Sequence, residues 1–387
     1  MSRDISQRLI AIDALRGLVM VLMLLDHVRE TFYLHLQLAD PIDVTSTDPL
    51  LFINRTLAHL CAPVFVFLTG LSAALYHQKV QDRRQTALFL FQRGLILILL
   101  ELTLINFAWT FQFPPQVIYL QVIYLQVIWA IGMSMLALSA LIWLPSGLVL
   151  ILGIVIVGGH NLLDPLQVSA DSIWSIPWAI LHDRGWIDIG DTFRMRTSYP
   201  VLPWIGVISL GYVAGALYRK EVFPLQRQKA LLTLAGITLA LFFVLRSLNR
   251  YGEKPWQQGD VITQTLMSYF NITKYPPSLL FLCLTLGIGL FLLAVFERQQ
   301  QKRWLVMLAS FGAAPMFFYL LHLYVLKGMY LTAVAIWGKN QGEWFGFSAV
   351  WQLWVCTVIL MVVLFSPVRA FARLKARRRD IRWLKYF

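Results

Sequence analysis

The sequence predicts an all-α fold, a polytopic bundle of about ten transmembrane helices with both termini in the cytoplasm, built as one transmembrane domain over residues 1–387. Three observations predict it. Of the 387 residues, 58% are hydrophobic and only 14% are charged, whereas a soluble globular chain is about 45–50% apolar. Apolar runs of about 20 residues, long enough to cross a bilayer as a helix, recur along the whole length. Lys and Arg also segregate: with the N-terminus inside, 21 of the 33 fall on cytoplasmic segments, the positive-inside pattern.

The spans are expected at 9–28, 56–77, 87–110, 117–143, 146–160, 200–218, 229–247, 275–296, 304–326 and 347–367. The first, RLIAIDALRGLVMVLMLLDHV, is Leu/Ile/Val/Met-rich yet carries Asp13, Arg16, Asp26 and His27. The second contains AHLCAPVFVFLTG. The fourth is read as lengthened by a local duplication, QVIYLQVIYLQVIWAIG from Gln116. A five-residue period turns about 140° per repeat, so its glutamines form no stripe, and Gln126 is the one expected in the interior. The fifth is short and follows the turn Pro145-Ser146-Gly147. SYPVLPWIGVISLGY leads into the sixth and FNITKYPPSLLF into the eighth, each with two prolines that restrict the entry. The ninth contains FGAAPMFFYLLHLY. The tenth precedes the basic tail ARRRDIRWLKYF. The longest outer loops are 28–55, 161–199 and 248–274.

The net charge of +13 sits in short connections and in this tail, which points to anionic lipid and excludes a nucleic-acid surface. The three cysteines lie singly in apolar segments, read as packed thiols. The first apolar stretch is interrupted by charge and lacks a small-residue cleavage site, so no removable leader is expected.

An ionisable side chain near a bilayer centre costs roughly 2.5–3.5 kcal/mol on insertion scales, so those in the first span demand a reason. Asp13 can pair with Arg16 at i,i+3. Arg16 and His27, eleven positions apart, share a helix face about 16 Å from end to end. Asp26 and His27 point about 100° apart; Asp26 is better placed for Arg29, or for orienting His59 from another helix. His27, His35, His59 and His322 are expected at one outer level, where they are either separate structural histidines or one imidazole-bearing site. Their scattered spacing argues against a metal centre. Tyr199, Trp204 and Tyr275 read as interfacial belt residues or as flat walls for a sugar, and Lys274 as a snorkelling cation or a partner for an anionic group.

RLIAIDALRGLVMVLMLLDH, HLCAPVFVFLTG, YPVLPWIGVISLGY, KYPPSLLF and PMFFYLLHLY together resemble bacterial members of the heparan-alpha-glucosaminide N-acetyltransferase-like family, within the transmembrane acyltransferase superfamily. The Arg16–His27 spacing is also similar to the arginine–histidine signature of the acyltransferase-3 membrane enzymes. The resemblance implies a multi-pass enzyme of the bacterial inner membrane. Such an enzyme moves an acetyl or other acyl group from cytoplasmic acyl-CoA to an amine or hydroxyl of a sugar-containing acceptor on the far side. It departs from the eukaryotic relatives, which carry asparagine at the place of His27 and aspartate at that of His59, with their catalytic histidine further into the first lumenal loop. His35 is the nearest counterpart here.

A thioester donor is already activated, so the enzyme must supply a base for the acceptor and stabilise an oxyanion. His27 is the first choice of base, then His59, with Asp26 as orienter; an acyl-histidine route stays open. Asp13, Arg16, Arg93 and Gln126 are the expected donor-channel residues, and His35, Tyr199, Trp204, Lys274, Tyr275 and His322 the acceptor-binding ones. Arg83, Arg84 and Arg303 are further candidates for the donor nucleotide. The expected partners are membrane lipid, acyl-CoA and the acceptor, with no metal and a homodimer left open. The competing reading is a proton-coupled transporter of an amino sugar or cell-wall fragment, with Asp13, Arg16, Glu101 and His27 as a relay.

Overall fold

The computed structural model of the chain describes residues 9–111, 121–189, 193–378, 380–381 and 384. The first QVIYL copy at 116–120, Arg3, Arg8 and parts of the basic tail lie outside the described residues.

In chain order the helices and strands are α1 Ile10–Phe32, α2 Pro49–Ala58, α3 Cys61–Val80, α4 Arg83–Leu100, α5 Asn106–Thr110, β1 Gln121–Leu125, α6 Val127–Leu141 and α7 Ser146–Gly159. There follow α8 Ser175–Leu181, β2 Trp186–Ile189, β3 Phe193–Thr197, α9 Leu202–Ala214, α10 Pro224–Leu248, α11 Ile262–Phe270, α12 Leu279–Arg298, α13 Arg303–Gly312, α14 Pro315–Trp337 and α15 Trp351–Arg377. Among the described residues, seven helices are long and apolar enough to cross a membrane: 49–80, 83–110, 146–163, 224–248, 279–298, 315–337 and 351–377; α6 and 202–218 are apolar but shorter. α1, at 23 residues, has the length but carries Asp13, Arg16, Asp26, Arg29 and Glu30. The chain is a helical, multi-pass membrane protein.

Prolines set the breaks. Pro63 has no N–H to return to the His59 carbonyl, and the ladder is interrupted at His59–Leu60 between α2 and α3. Pro315 occupies the first position of α14 and cannot bond to the Phe311 carbonyl. The span expected over 304–326 is therefore two helices, α13 and α14, and His322 lies in the first half of a helix that runs on to Trp337. The first span likewise continues past residue 28 to Phe32, which brings Arg29 and Glu30 onto α1.

The fourth span is also corrected. The second QVIYL copy is β1, a strand, and the helix starts only at Val127. The segment QVIYL is rich in residues that favour extended backbone, and its backbone groups are taken by β3, to which β1 pairs in parallel; β2 pairs with β3 antiparallel, giving the order β1-β3-β2. This small sheet, partly within the outer loop expected at 161–199, is an addition to the helical bundle. Gln126 is the residue before α6, half-buried at the strand-to-helix junction. Glu101, the relay candidate, accepts a hydrogen bond from the Trp129 N–H in the first turn of α6 at 3.0 Å, which is helix-capping work.

The chain divides into two compact units: unit 1 holds Met1–Leu36, Val222–Ile237 and Gly287–Phe387, and unit 2 holds Gln37–Glu221 and Thr238–Leu286. In unit 1, α1 packs on α13, α14 and α15. The α1–α13 crossing is backbone-close: a Cβ at Gly17 would overlap the Leu308 carbonyl oxygen, and one at Gly312 the Asp13 carbonyl oxygen. In unit 2, α9 packs on α3, α6 and α7, and α4 packs on α6. There Gly70 of α3 and Gly211 of α9 meet the backbone of Ile208 and Phe67 in the same way.

Candidate active site

Unit 1 carries an imidazole pair. His27, one turn and a half before the end of α1, and His322 of α14 are both buried. His27 Nδ1 lies 2.7 Å from His322 Nε2, and the rings are stacked with centroids 5.0 Å apart. His322 Nδ1 lies 2.7 Å from the Phe318 carbonyl oxygen. A carbonyl only accepts, so Nδ1 of His322 is its protonated nitrogen. In the neutral ring Nε2 then holds a lone pair and accepts from His27 Nδ1–H. This chain of bonds puts the proton of neutral His27 on Nδ1 and its lone pair on Nε2, the tautomer a general base acting through Nε2 requires. Tyr319 stands edge-on to both rings, 5.9 Å from His27 and 5.6 Å from His322.

The bond at His27 Nδ1 goes to His322, and Asp26 is engaged with Arg29. Its Oδ1 accepts from Arg29 Nε and Nη2 at 3.0 and 2.9 Å, the i,i+3 pairing that helix geometry favours, and Arg29 also reaches Glu30 at 3.1 Å. Further down α1, Arg16 holds Asp13 at 2.8 Å and the Gly312 carbonyl oxygen at 3.1 Å. His35 follows the helix, its ring 4.6 Å from that of Tyr33 and close against Gly346. Its Nδ1 is buried and meets no hydrogen-bond partner among the described residues. Of the expected acceptor residues, the structure brings His322 onto His27.

Unit 2 carries an aromatic and cationic cluster. Tyr199 and Tyr275 are T-shaped at 5.0 Å, with their hydroxyls 3.3 Å apart, and Tyr199 leans on the fully buried Trp204 at 5.8 Å. Three cations surround the Tyr275 ring: Arg184 at 5.0 Å, Lys274 at 5.1 Å and Arg55 at 5.8 Å from its centroid. The turn that presents Lys274 and Tyr275 is pinned from several sides. Glu253 accepts from Thr273 N, Thr273 Oγ1 and Ser278 Oγ at 2.6–2.7 Å. Asp40 accepts from Lys274 N at 3.1 Å, and His160 Nε2 donates to the Pro277 carbonyl oxygen at 2.7 Å. His59 is buried at the α2–α3 break, its ring edge-on to Phe281 at 5.2 Å. Arg93 is half-buried on α4. Asn54, one residue before Arg55, is fully buried with neither side-chain polar atom hydrogen-bonded among the described residues.

The residues expected at the acceptor, Tyr199, Trp204, Lys274 and Tyr275, lie together in the structure, while sequence reasoning did not single out Arg55, Arg184, Asp40, Glu253 and His160. Among the described residues no group of three or more His, Cys, Asp or Glu is arranged to hold a metal ion.

The family profile described as heparan-alpha-glucosaminide N-acetyltransferase, catalytic, matches residues 8–251. The match takes in Asp13, Arg16, His27, His59, Tyr199 and Trp204, and ends before Lys274, Tyr275 and His322. No curated protein matches the chain.

Proposed function

The chain belongs to the heparan-alpha-glucosaminide N-acetyltransferase catalytic family, and from that premise we propose that it transfers an acetyl or other acyl group from acyl-CoA to an amine or hydroxyl of a sugar-containing acceptor. In this reading it spans a bacterial inner membrane about ten times with both termini in the cytoplasm, so that donor and acceptor come from opposite faces.

The observation that carries the chemistry is the hydrogen-bonded order His27 Nδ1, His322 Nε2, His322 Nδ1, Phe318 oxygen. In this reading His27 Nε2, which carries the lone pair of that tautomer, is the base. As the acceptor nitrogen or oxygen attacks the thioester carbonyl, Nε2 takes its proton. The tetrahedral intermediate collapses with cleavage of the C–S bond, and the thiolate leaves with that proton as CoA-SH. His322, here assigned to the base rather than to the acceptor, spreads the positive charge formed on His27 toward the Phe318 carbonyl. Asp13, Arg16, Arg93 and Gln126 are assigned to the donor path. Tyr199, Trp204, Tyr275 and Lys274 offer flat aromatic faces and a cation, the chemistry a charged or hydroxyl-rich sugar needs.

The test is incubation of purified protein with labelled acetyl-CoA and a panel of glucosaminides, other amino sugars and cell-wall fragments, read by mass spectrometry. An acylated product dependent on His27 is expected. Acceptor uptake into vesicles with no acylated product from any donor would overturn the reading in favour of a transporter.

A further inference from the structure

No sequence expectation fell on His160 or His182, yet both are almost fully buried in unit 2, where an imidazole needs partners for its nitrogens. His160 opens the short helical turn His160–Leu163 that follows α7, and His182 follows the last residue of α8. His182 Nε2 lies 3.0 Å from the His160 carbonyl oxygen, and His160 Nε2 donates to the Pro277 carbonyl oxygen at 2.7 Å. The two rings therefore link the end of α8 to the turn that presents Lys274 and Tyr275. Asn161 doubles the link: its Oδ1 accepts from Leu279 N at 2.8 Å, and its Nδ2 donates to Asp164 at 2.9 Å. Two residues past His182 is Arg184, whose guanidinium lies over the Tyr275 ring. Thr197 fixes the backbone on either side of Arg184: its hydroxyl accepts from Gly185 N at 2.9 Å and reaches the Asp183 carbonyl oxygen at 3.3 Å.

We propose that His182 and His160 are positioning residues for the acceptor. Together they hold Arg184 and the Lys274–Tyr275 turn as one surface, and the imidazolium form of His182 holds it most tightly. The inference rests on the acyl-transfer reading above and adds to it a residue pair that sets how well the acceptor is bound at a given external pH. The geometry around His182 carries it. Among the described residues, the polar atoms that face its ring are acceptors: the His160 carbonyl oxygen and, at 3.4 Å, Asp164 Oδ1 on the Nε2 side, and Asp183 Oδ1 at 3.2 Å on the Nδ1 side. An imidazolium donates from both nitrogens and satisfies both sides. The neutral ring has one proton. With it on Nε2, the Nδ1 lone pair faces the Asp183 carboxylate, and the residue before Arg184 is pushed away. Trp178 stacks on the ring with centroids 4.9 Å apart, and an indole face also favours the cation. His160, whose ring nitrogens face the carbonyl oxygens of Ile156, Val157 and Pro277, is the other imidazole in this chain of bonds. Tyr251 lies beyond it, donating to the Gly158 carbonyl oxygen at 2.6 Å.

Arg184 and Lys274 call for an anion, so the probe is N-acetylglucosamine 6-sulfate, the acetylated form of an anionic amino sugar. Full-length protein in nanodiscs is titrated with it between about pH 5 and 8, where imidazoles change charge and the probe does not. Acetyl transfer to glucosamine 6-sulfate is followed in parallel. Binding should weaken about three- to tenfold as pH rises across that range, the worth of one hydrogen bond, because the proton that holds Asp183 is lost. His182→Gln keeps a donor toward His160 and cannot change charge, so its affinity should be flat with pH. Asp183→Asn, at a side chain 40% exposed, offers an N–H to the neutral ring and should flatten the dependence as well. Both variants should move the acceptor KM, while kcat keeps the pH profile set by His27. An affinity that varies with pH in either variant as it does in the wild type would overturn the inference. So would a wild-type protein whose affinity does not vary, or one that binds no sulfated sugar. Binding that depends on pH through His182, in a protein that transfers acetyl to no acceptor, would uphold the pair and defeat the acyl-transfer reading.

Discussion

Arg16 Nη1 reaches the carbonyl oxygen of Gly312 at 3.1 Å while it holds the Asp13 carboxylate at 2.8 Å. The bond joins α1 to the C-terminal end of α13, where unpaired carbonyls and the helix dipole favour a cation, and it lies beside the Gly17–Gly312 backbone crossing. A charged pair in the first apolar segment thus has a structural use whatever its part in donor binding.

Arg16→Ala should therefore lower the melting temperature. Asp13 and Arg16 are 15–18% exposed, so the cost is set at about 2–3 kcal/mol, below the 3–5 of a fully buried pair. The double change Asp13→Asn, Arg16→Gln should restore part of it by leaving no uncompensated charge. Thermal unfolding measures the first effect and acetyl-CoA kinetics the second; full activity in the double variant would remove Arg16 from the donor path.

The imidazole pair predicts a graded loss. His27→Ala should cut acyl transfer about 10²–10⁴-fold with donor binding retained. His322→Ala removes the acceptor for His27 Nδ1–H and frees the other tautomer, so it should lower kcat and alter the pH profile with little change in donor KM. His59→Ala should cost less than His27→Ala, and His35→Ala least. Transfer should also fall on acidification, because protonation takes the Nε2 lone pair that the reaction uses. Single-turnover rates across pH check this, and a His27→Ala protein with normal turnover would shift the base to His59 or His35.

The parts legible in the sequence were those set by local geometry. Asp13–Arg16 and Asp26–Arg29 are i,i+3 pairs on one helix, and spacing alone announces them. His322 as the partner of His27 is 295 positions away, and nothing local encodes it. Arg55 and Arg184 meet at Tyr275 only because α2 and two separate loops are folded together. β1 was hidden for a different reason: a short Val/Ile/Tyr run beside an apolar helix fits either conformation, and its partner strand β3 decided the outcome. Pro315 carried a local signal for the α13–α14 break, yet the span expected at 304–326 ran straight through it.

The loop after α10 hangs on Arg246. Its guanidinium donates to the carbonyl oxygens of Lys254, Ser268, Tyr269 and Asn271 at 2.7–2.9 Å, and Asn271 in turn exchanges bonds with the Ile42 backbone. Lysine has the charge but not the planar fork. Arg246→Lys, with three donors for four carbonyls, should therefore leave at least one of them unsatisfied, at about 1–3 kcal/mol each, and raise amide hydrogen exchange across 252–272. Unchanged exchange in that segment would show that Trp256 and Glu253 hold the loop without it.

The direction of transfer depends on the orientation of the helices. From the split of Lys and Arg, 21 of 33 on one set of connections, Asp82, Pro224 and Gln300 are expected in the cytoplasm and Thr45 and Gln257 outside. Each can be replaced singly by cysteine in a background where Cys61, Cys283 and Cys356 are changed to alanine or serine; all three are buried and unbridged. A membrane-impermeant maleimide applied to intact cells should label positions 45 and 257 at once, and positions 82, 224 and 300 only after the membrane is opened. Labelling at 224 in intact cells would invert the chain. The basic connections would then face away from the acyl-CoA pool, and the outward direction of acyl transfer would fall with them.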